Sequence, residues 1–125
     1  MDTLLARRRR SDAGAVTAET AVALPVLAVL AVALAWLVLL GVAQIRAQDA
    51  AREVARAVAR GESVSVSSAA GQRVAGPGST VSVSRSGDTV SVVVTVALRG
   101  PGRLLAGLGS VTVRAESVAA MEPVP

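Results

Sequence analysis

Glu19 is the residue of this chain whose setting most calls for a chemical explanation. It stands alone at the head of a run, residues 20–44, that contains no charged side chain, and it lies five positions after Gly14. A carboxylate at the edge of so apolar a stretch is unfavourable unless it is paired or hydrated. Two roles fit it: an ion pair with a cation brought beside it, or a hydrated place at a helix start, where negative charge complements the helix dipole. The rest of the chain offers little for catalysis. There is no His, Cys, Lys, Tyr or Phe, which removes Cys/His metal sites, thiol nucleophiles, Ser–His triads and Lys Schiff bases together. Asp88, Glu116 and Glu122 have no spacing that suggests a shared acid–base site. No glycine-rich phosphate loop follows a strand. The sequence thus predicts a protein that is not an enzyme, with no cofactor, no metal and no small-molecule substrate.

The element that positions Glu19 is a membrane span. Residues 21–43 are almost wholly Ala, Val and Leu. As a helix they would measure about 34 Å, against about 30 Å of hydrocarbon. A soluble helix of that length would show a polar face, and this one has none. The run is too long for the apolar stretch of a cleaved secretory signal, about 7–15 residues. Pro25 either kinks the span or is tolerated near its start. Trp36 falls deep within it, as a filler facing lipid or a neighbouring helix, and the small residues Ala31, Ala35, Ala33 and Gly41 permit close helix contact.

Arg7, Arg8, Arg9 and Arg10 form a dense basic block ahead of the span, and by the positive-inside rule they hold the N-terminus in the cytoplasm. The far flank also carries arginines, but spread along a helix and mixed with Asp49, Glu53 and Glu62. The expected location is the cell (inner) membrane, single-pass, with the C-terminal domain outside. A nucleic-acid partner is not expected, because no aromatic residue or second basic cluster supports one. The net charge of +4 and pI near 11.5 reflect arginine as the only strong base.

Beyond the span, charged positions 46, 49, 53, 56 and 60 recur at spacings of 3 and 4, opposite Ala47, Ala51, Val54 and Val58. These make two opposed helix faces, and Gly61 sits where a left-handed cap ends the helix. One helix from about residue 16 to 60 would be about 67 Å long. After Gly61 the period becomes 2. Val64 and Val66 alternate with serines, and a loop follows at residues 75–78. Val81 and Val83 lead through the turn Ser86, Gly87, Asp88 to Val90, Val92, Val94 and Val96, a strong hairpin signal. Leu104, Leu105 and Leu108 form a short apolar connector. Val111, Val113 and Ala115 line one side of a third strand, and residues 121–125, with two prolines, should fray. The expected fold class is an α+β membrane protein: a long N-terminal helix packed on a small antiparallel sheet of about three strands. Its domains are a basic leader at 1–14, the helix at 15–60 with its span at 21–43, and a β domain at 61–125, without disulfides to staple it.

An arginine-rich leader, Gly14, then Ala15, Val16, Thr17, Ala18, Glu19 and a hydrophobic helix resemble the class III signal of type IV prepilins and pseudopilins. Those residues, with Leu24, Pro25, Val26 and the tract Gln48, Asp49, Ala50, Ala51, Arg52, Glu53, Val54, Ala55, Arg56, more narrowly resemble the TadE-like family, minor pilins or pseudopilins of the tight-adherence (Flp) pilus apparatus. The likeness is densest over residues 11–60. It implies cleavage by a prepilin peptidase between Gly14 and Ala15, leaving Glu19 as the fifth mature residue, one helical turn from the new ammonium of Ala15. That ammonium, in the same chain or a neighbouring subunit, would be the cation for Glu19. The first mature residue departs from the pattern, since pilins typically place Phe where this chain has Ala15. The resemblance also implies the partners: membrane lipid, other pilin or pseudopilin subunits, the peptidase and the assembly platform. The alternative is a permanently anchored external binding module, or an accessory subunit of another membrane complex.

Overall fold

The computed structural model describes residues 2–107 and 109–123, in two compact units, Met1–Ala35 and Trp36–Pro125. Leu108 of the expected connector, and Val124 and Pro125 of the expected frayed end, lie outside the described residues.

The first element is a single helix, α1 (Asp2–Ala59), 58 residues long. It begins at Asp2 rather than near residue 16, so the basic leader is helical. The reason is local: Leu, Ala and Arg, which fill residues 4–10, are among the strongest helix formers. In the first unit every described side chain is exposed or half-buried, Val22 at 70% and Val29 at 65%. Contiguous exposed apolar surface of this kind marks a membrane or interaction site. Pro25 lies inside the helix without ending it. The stretch Arg9–Ala59 has the length and hydropathy of a candidate membrane span.

In the second unit α1 acquires a buried side. Ala47, Ala50, Ala51, Val54 and Val58 are fully buried, while Arg46, Asp49, Arg52, Glu53, Arg56 and Arg60 are exposed, the two faces expected from the spacing. The helix ends in a Schellman cap: the Gly61 N–H donates to the Val58 carbonyl at 3.0 Å and the Glu62 N–H to Ala57 at 3.1 Å. Gly61 takes φ +92°, a conformation that favours glycine.

Where the alternation of Val64 and Val66 with serines suggested extended chain, the structure has a helix, α2 (Val64–Ala75). Its N-cap is Ser63, whose Oγ accepts from the Val66 N–H at 3.3 Å. Its buried positions, Ser67, Gly71 and Ala75, fall at four-residue intervals, so a helical period of small residues overrides a two-valine alternation. Gly71 is the contact with α1: a Cβ there would run into Val54 Cγ2, with Val81 Cγ2 at 3.6 Å.

Three strands follow, β1 (Ser79–Ser86), β2 (Thr89–Arg99) and β3 (Ser110–Ala120), antiparallel in the order β1-β2-β3. A two-residue turn joins the first pair, and Gly87 at φ +57° supplies the positive φ that such tight hairpin turns need. The register pairs Val83 with Val92 and Val94 with Ala115. Val90, Val92, Val94 and Val96 are 0–2% exposed and pack with Val113 and Ala115 against the α1 face. Each such valine contributes roughly 1.5–3 kcal/mol by leaving water. Val111 shares their side of β3 but stays 43% exposed, beyond the packed cluster. A short helix, α3 (Gly102–Ala106), joins β2 to β3 where the apolar connector was expected.

Candidate functional site

The residues singled out in the sequence all lie on the first unit's helix. Gly14 and Ala15 are exposed and helical, and nothing lies within 4 Å of the space a Gly14 side chain would occupy. The bond between them therefore sits inside a helix, at a residue that weakens helices by roughly 0.5–1 kcal/mol relative to Ala. Two hydroxyls fold back onto the backbone on either side of this region: Thr17 Oγ1 donates to the Ala13 carbonyl and Thr20 Oγ1 to that of Val16, both at 2.9 Å. Such bonds occupy carbonyls locally and favour bending.

Glu19 is exposed and makes no ion pair or hydrogen bond among the described residues. With Ala18, Val22, Ala23, Val26 and Leu27 it lines a shallow apolar groove along one side of the helix. Its carboxylate is the one charged group among those lining residues. Arg7, Arg9 and Arg10 are exposed on the same helix. The Arg8 side chain lies outside the described ones.

In the second unit the structure reveals polar contacts that sequence reasoning missed. Gln44 Nε2 donates to the Arg114 carbonyl at 3.0 Å, and Gln48 Nε2 to the Glu116 carbonyl at 3.4 Å. The Glu122 N–H donates to the Ala59 carbonyl at 3.1 Å. Arg114 and Glu116 lie on β3, an edge strand of the sheet, so the two glutamines occupy backbone acceptors on that edge strand. The signal was present: two glutamines, i and i+4, on a helix face otherwise of small apolar residues. On the outer face, Ser91 Oγ lies 3.0 Å from Glu116 Oε1 and Arg114 pairs with Glu116 at 3.7 Å. Exposed pairs of this kind add little stability.

A helix of membrane-spanning length followed by a small helix-covered antiparallel sheet defines an α+β protein with one candidate membrane span among the described residues. The family model described as TadE-like protein matches residues 14–56, beginning at Gly14 and running through Glu19, the apolar run and most of the sheet-packed part of α1. Over these residues the resemblance drawn from the sequence and the family model agree. At the level of the family, the match supports a structural component of tight-adherence (Flp) pilus assembly. No curated protein and no solved structure matches the chain.

Proposed function

We propose that this chain is a single-pass, pseudopilin-like component of tight-adherence pilus assembly or a related secretion machine, working through helix–helix contacts in the membrane. The observation that carries this reading is that the family match starts at Gly14, the residue on which the prepilin-type signal turns. The basic block Arg7 to Arg10 keeps the leader in the cytoplasm, and a prepilin peptidase cuts between Gly14 and Ala15. Glycine makes local unwinding easier at that bond, which helps a helical segment enter a peptidase cleft.

After the cut, the Ala15 ammonium starts the helix and Glu19 lies one turn along it. At the edge of an apolar run a carboxylate gains most from a cation held nearby. In an assembly that cation is the Ala15 ammonium of an adjoining subunit. The exposed apolar groove around Glu19 is the surface along which the neighbouring helix packs. The second unit, outside the inner membrane, is a rigid body for contacts with other pilin subunits and the assembly platform.

The test is the mature N-terminus, read by mass spectrometry on protein purified from its native membrane. A start at Ala15 supports processing and assembly. A start at Met1 or Asp2 would overturn processing and make the span a permanent anchor.

A further inference from the structure

We infer that the charged face of α1 in the second unit is a contact for a second copy of this chain, parallel to the first and displaced along it by seven residues. The inference rests on the single-pass reading, which inserts neighbouring copies the same way round. It adds a register set by charges beyond the apolar run.

The face is a single stripe. Arg46, Asp49, Glu53, Arg56 and Arg60 follow one another at steps of three and four, so they stay on one side of the helix. All five are exposed, while Ala47, Ala51, Val54 and Val58 on the other side are fully buried in the core cluster. The packing of the unit therefore leaves the stripe uncovered. Residues three and four apart on a helix are near enough to pair. Even so, Arg46, Asp49, Glu53 and Arg56 make no ion pair among the described residues. Arg60 is engaged with Glu62 at 3.1 Å, in an exposed pair of little strength.

The signs along the stripe run plus, minus, minus, plus, plus, and this order selects the alignment of two copies. In register, every charge meets its own sign. Displaced by one step of the stripe, Asp49 meets Glu53 and Arg56 meets Arg60. Displaced by two steps, Arg46 of one copy meets Glu53 of the other, Asp49 meets Arg56 and Glu53 meets Arg60. All three contacts are then of opposite sign. Each is a separation of seven residues, close to two helical turns and about 10.5 Å, so one rigid displacement satisfies them together. A displacement of three steps brings Arg46 onto Arg56. Exposed ion pairs are individually weak, but a row of them between helices sets register and partner, as at the flanking positions of coiled coils. Like charges opposed along the whole stripe act against the unstaggered pair. A staggered contact is heterologous and does not close into a symmetric dimer.

The chain has no cysteine, so introduced thiols meet no background. Two differently tagged full-length copies, one Arg46→Cys and one Glu53→Cys, are co-expressed in the native membrane and treated with a short bis-maleimide. The mixed pair should cross-link several-fold more than either variant with itself. Adding Arg56→Glu and Arg60→Glu to the Glu53→Cys copy opposes like charges at both remaining contacts and should remove most of the mixed product. Adding Asp49→Arg and Glu53→Arg to the Arg46→Cys copy should then restore it, a recovery that misfolding of one copy would not give. Equal cross-linking of mixed and matched pairs, or no recovery after the second swap, would overturn the stagger. No product from any pair, in a chain that stays in the membrane through alkaline carbonate, would overturn the self-contact and leave the anchor reading standing. Release of the chain by carbonate would overturn the anchor reading and the parallel pairing with it.

Discussion

Glu19 has no partner among the described residues, and for a carboxylate heading an apolar helix that is a strong demand on its surroundings. If an adjoining subunit supplies the cation, Glu19→Ala should still insert but should no longer co-purify with its pilin partners. Undiminished co-purification would return Glu19 to a hydrated helix start. If a prepilin peptidase cuts after Gly14, Gly14→Ala should leave the chain at full length on a denaturing gel, because it removes the residue at the cut and firms the helix there. A third residue belongs to stability alone. Gly71→Ala drives a methyl into Val54 and should cost about 1–3 kcal/mol by overpacking, read as a lower denaturant midpoint with unchanged slope. The Ser67 hydroxyl is buried with no partner, so Ser67→Ala should be neutral or stabilising in the same assay, since removing an unsatisfied polar group relieves its desolvation.

At the scale of elements, how well the chain could be read followed how far each pattern ran. The hairpin was plain in the sequence because valines alternate for four repeats on β2 and a glycine sits at the turn. The sheet-packed part of α1 was plain because charges and small residues recur in opposition through Arg60. The α2 segment was misread because two valines among serines imitate a strand, and its true period lay in Ser67, Gly71 and Ala75, residues too small to register as a hydrophobic face. Gln44 and Gln48 stood out on their helix face, but their partners could not be read, since the contacts join positions 70 and 68 residues apart. For these, Gln44→Ala/Gln48→Ala should lower stability by roughly 0.5–1.5 kcal/mol for each lost bond. Thermal unfolding followed by circular dichroism in detergent would measure it, and no change would mean that water replaces the glutamines without loss.

For the whole molecule, the spacing of Gly14 and Glu19 ahead of the apolar run was visible before any coordinates, because it depends on adjacency along the chain. How the second unit closes was not, because it depends on which strand positions lie level with which helical turn. That unit holds together without disulfides through one valine cluster shared by α1, β2 and β3. A chain ending at residue 109 would lose β3, half of the pairing of β2 and the cover over Gln44 and Gln48. Limited proteolysis should then digest it back towards the apolar helix, whereas the intact chain should resist.

The alignment of α1 with β3 bears on mechanics. Gln44, Gln48 and the Ala59 carbonyl tie the helix to the strand at three heights, and between them lies the valine cluster. A pull along α1 against a load on the sheet would shear all of these ties together instead of opening them one at a time. A subunit that is hauled through a membrane, or held in a fibre under tension, gains from such an arrangement, because its resistance to being drawn out is the joint strength of the seam and not that of its weakest bond.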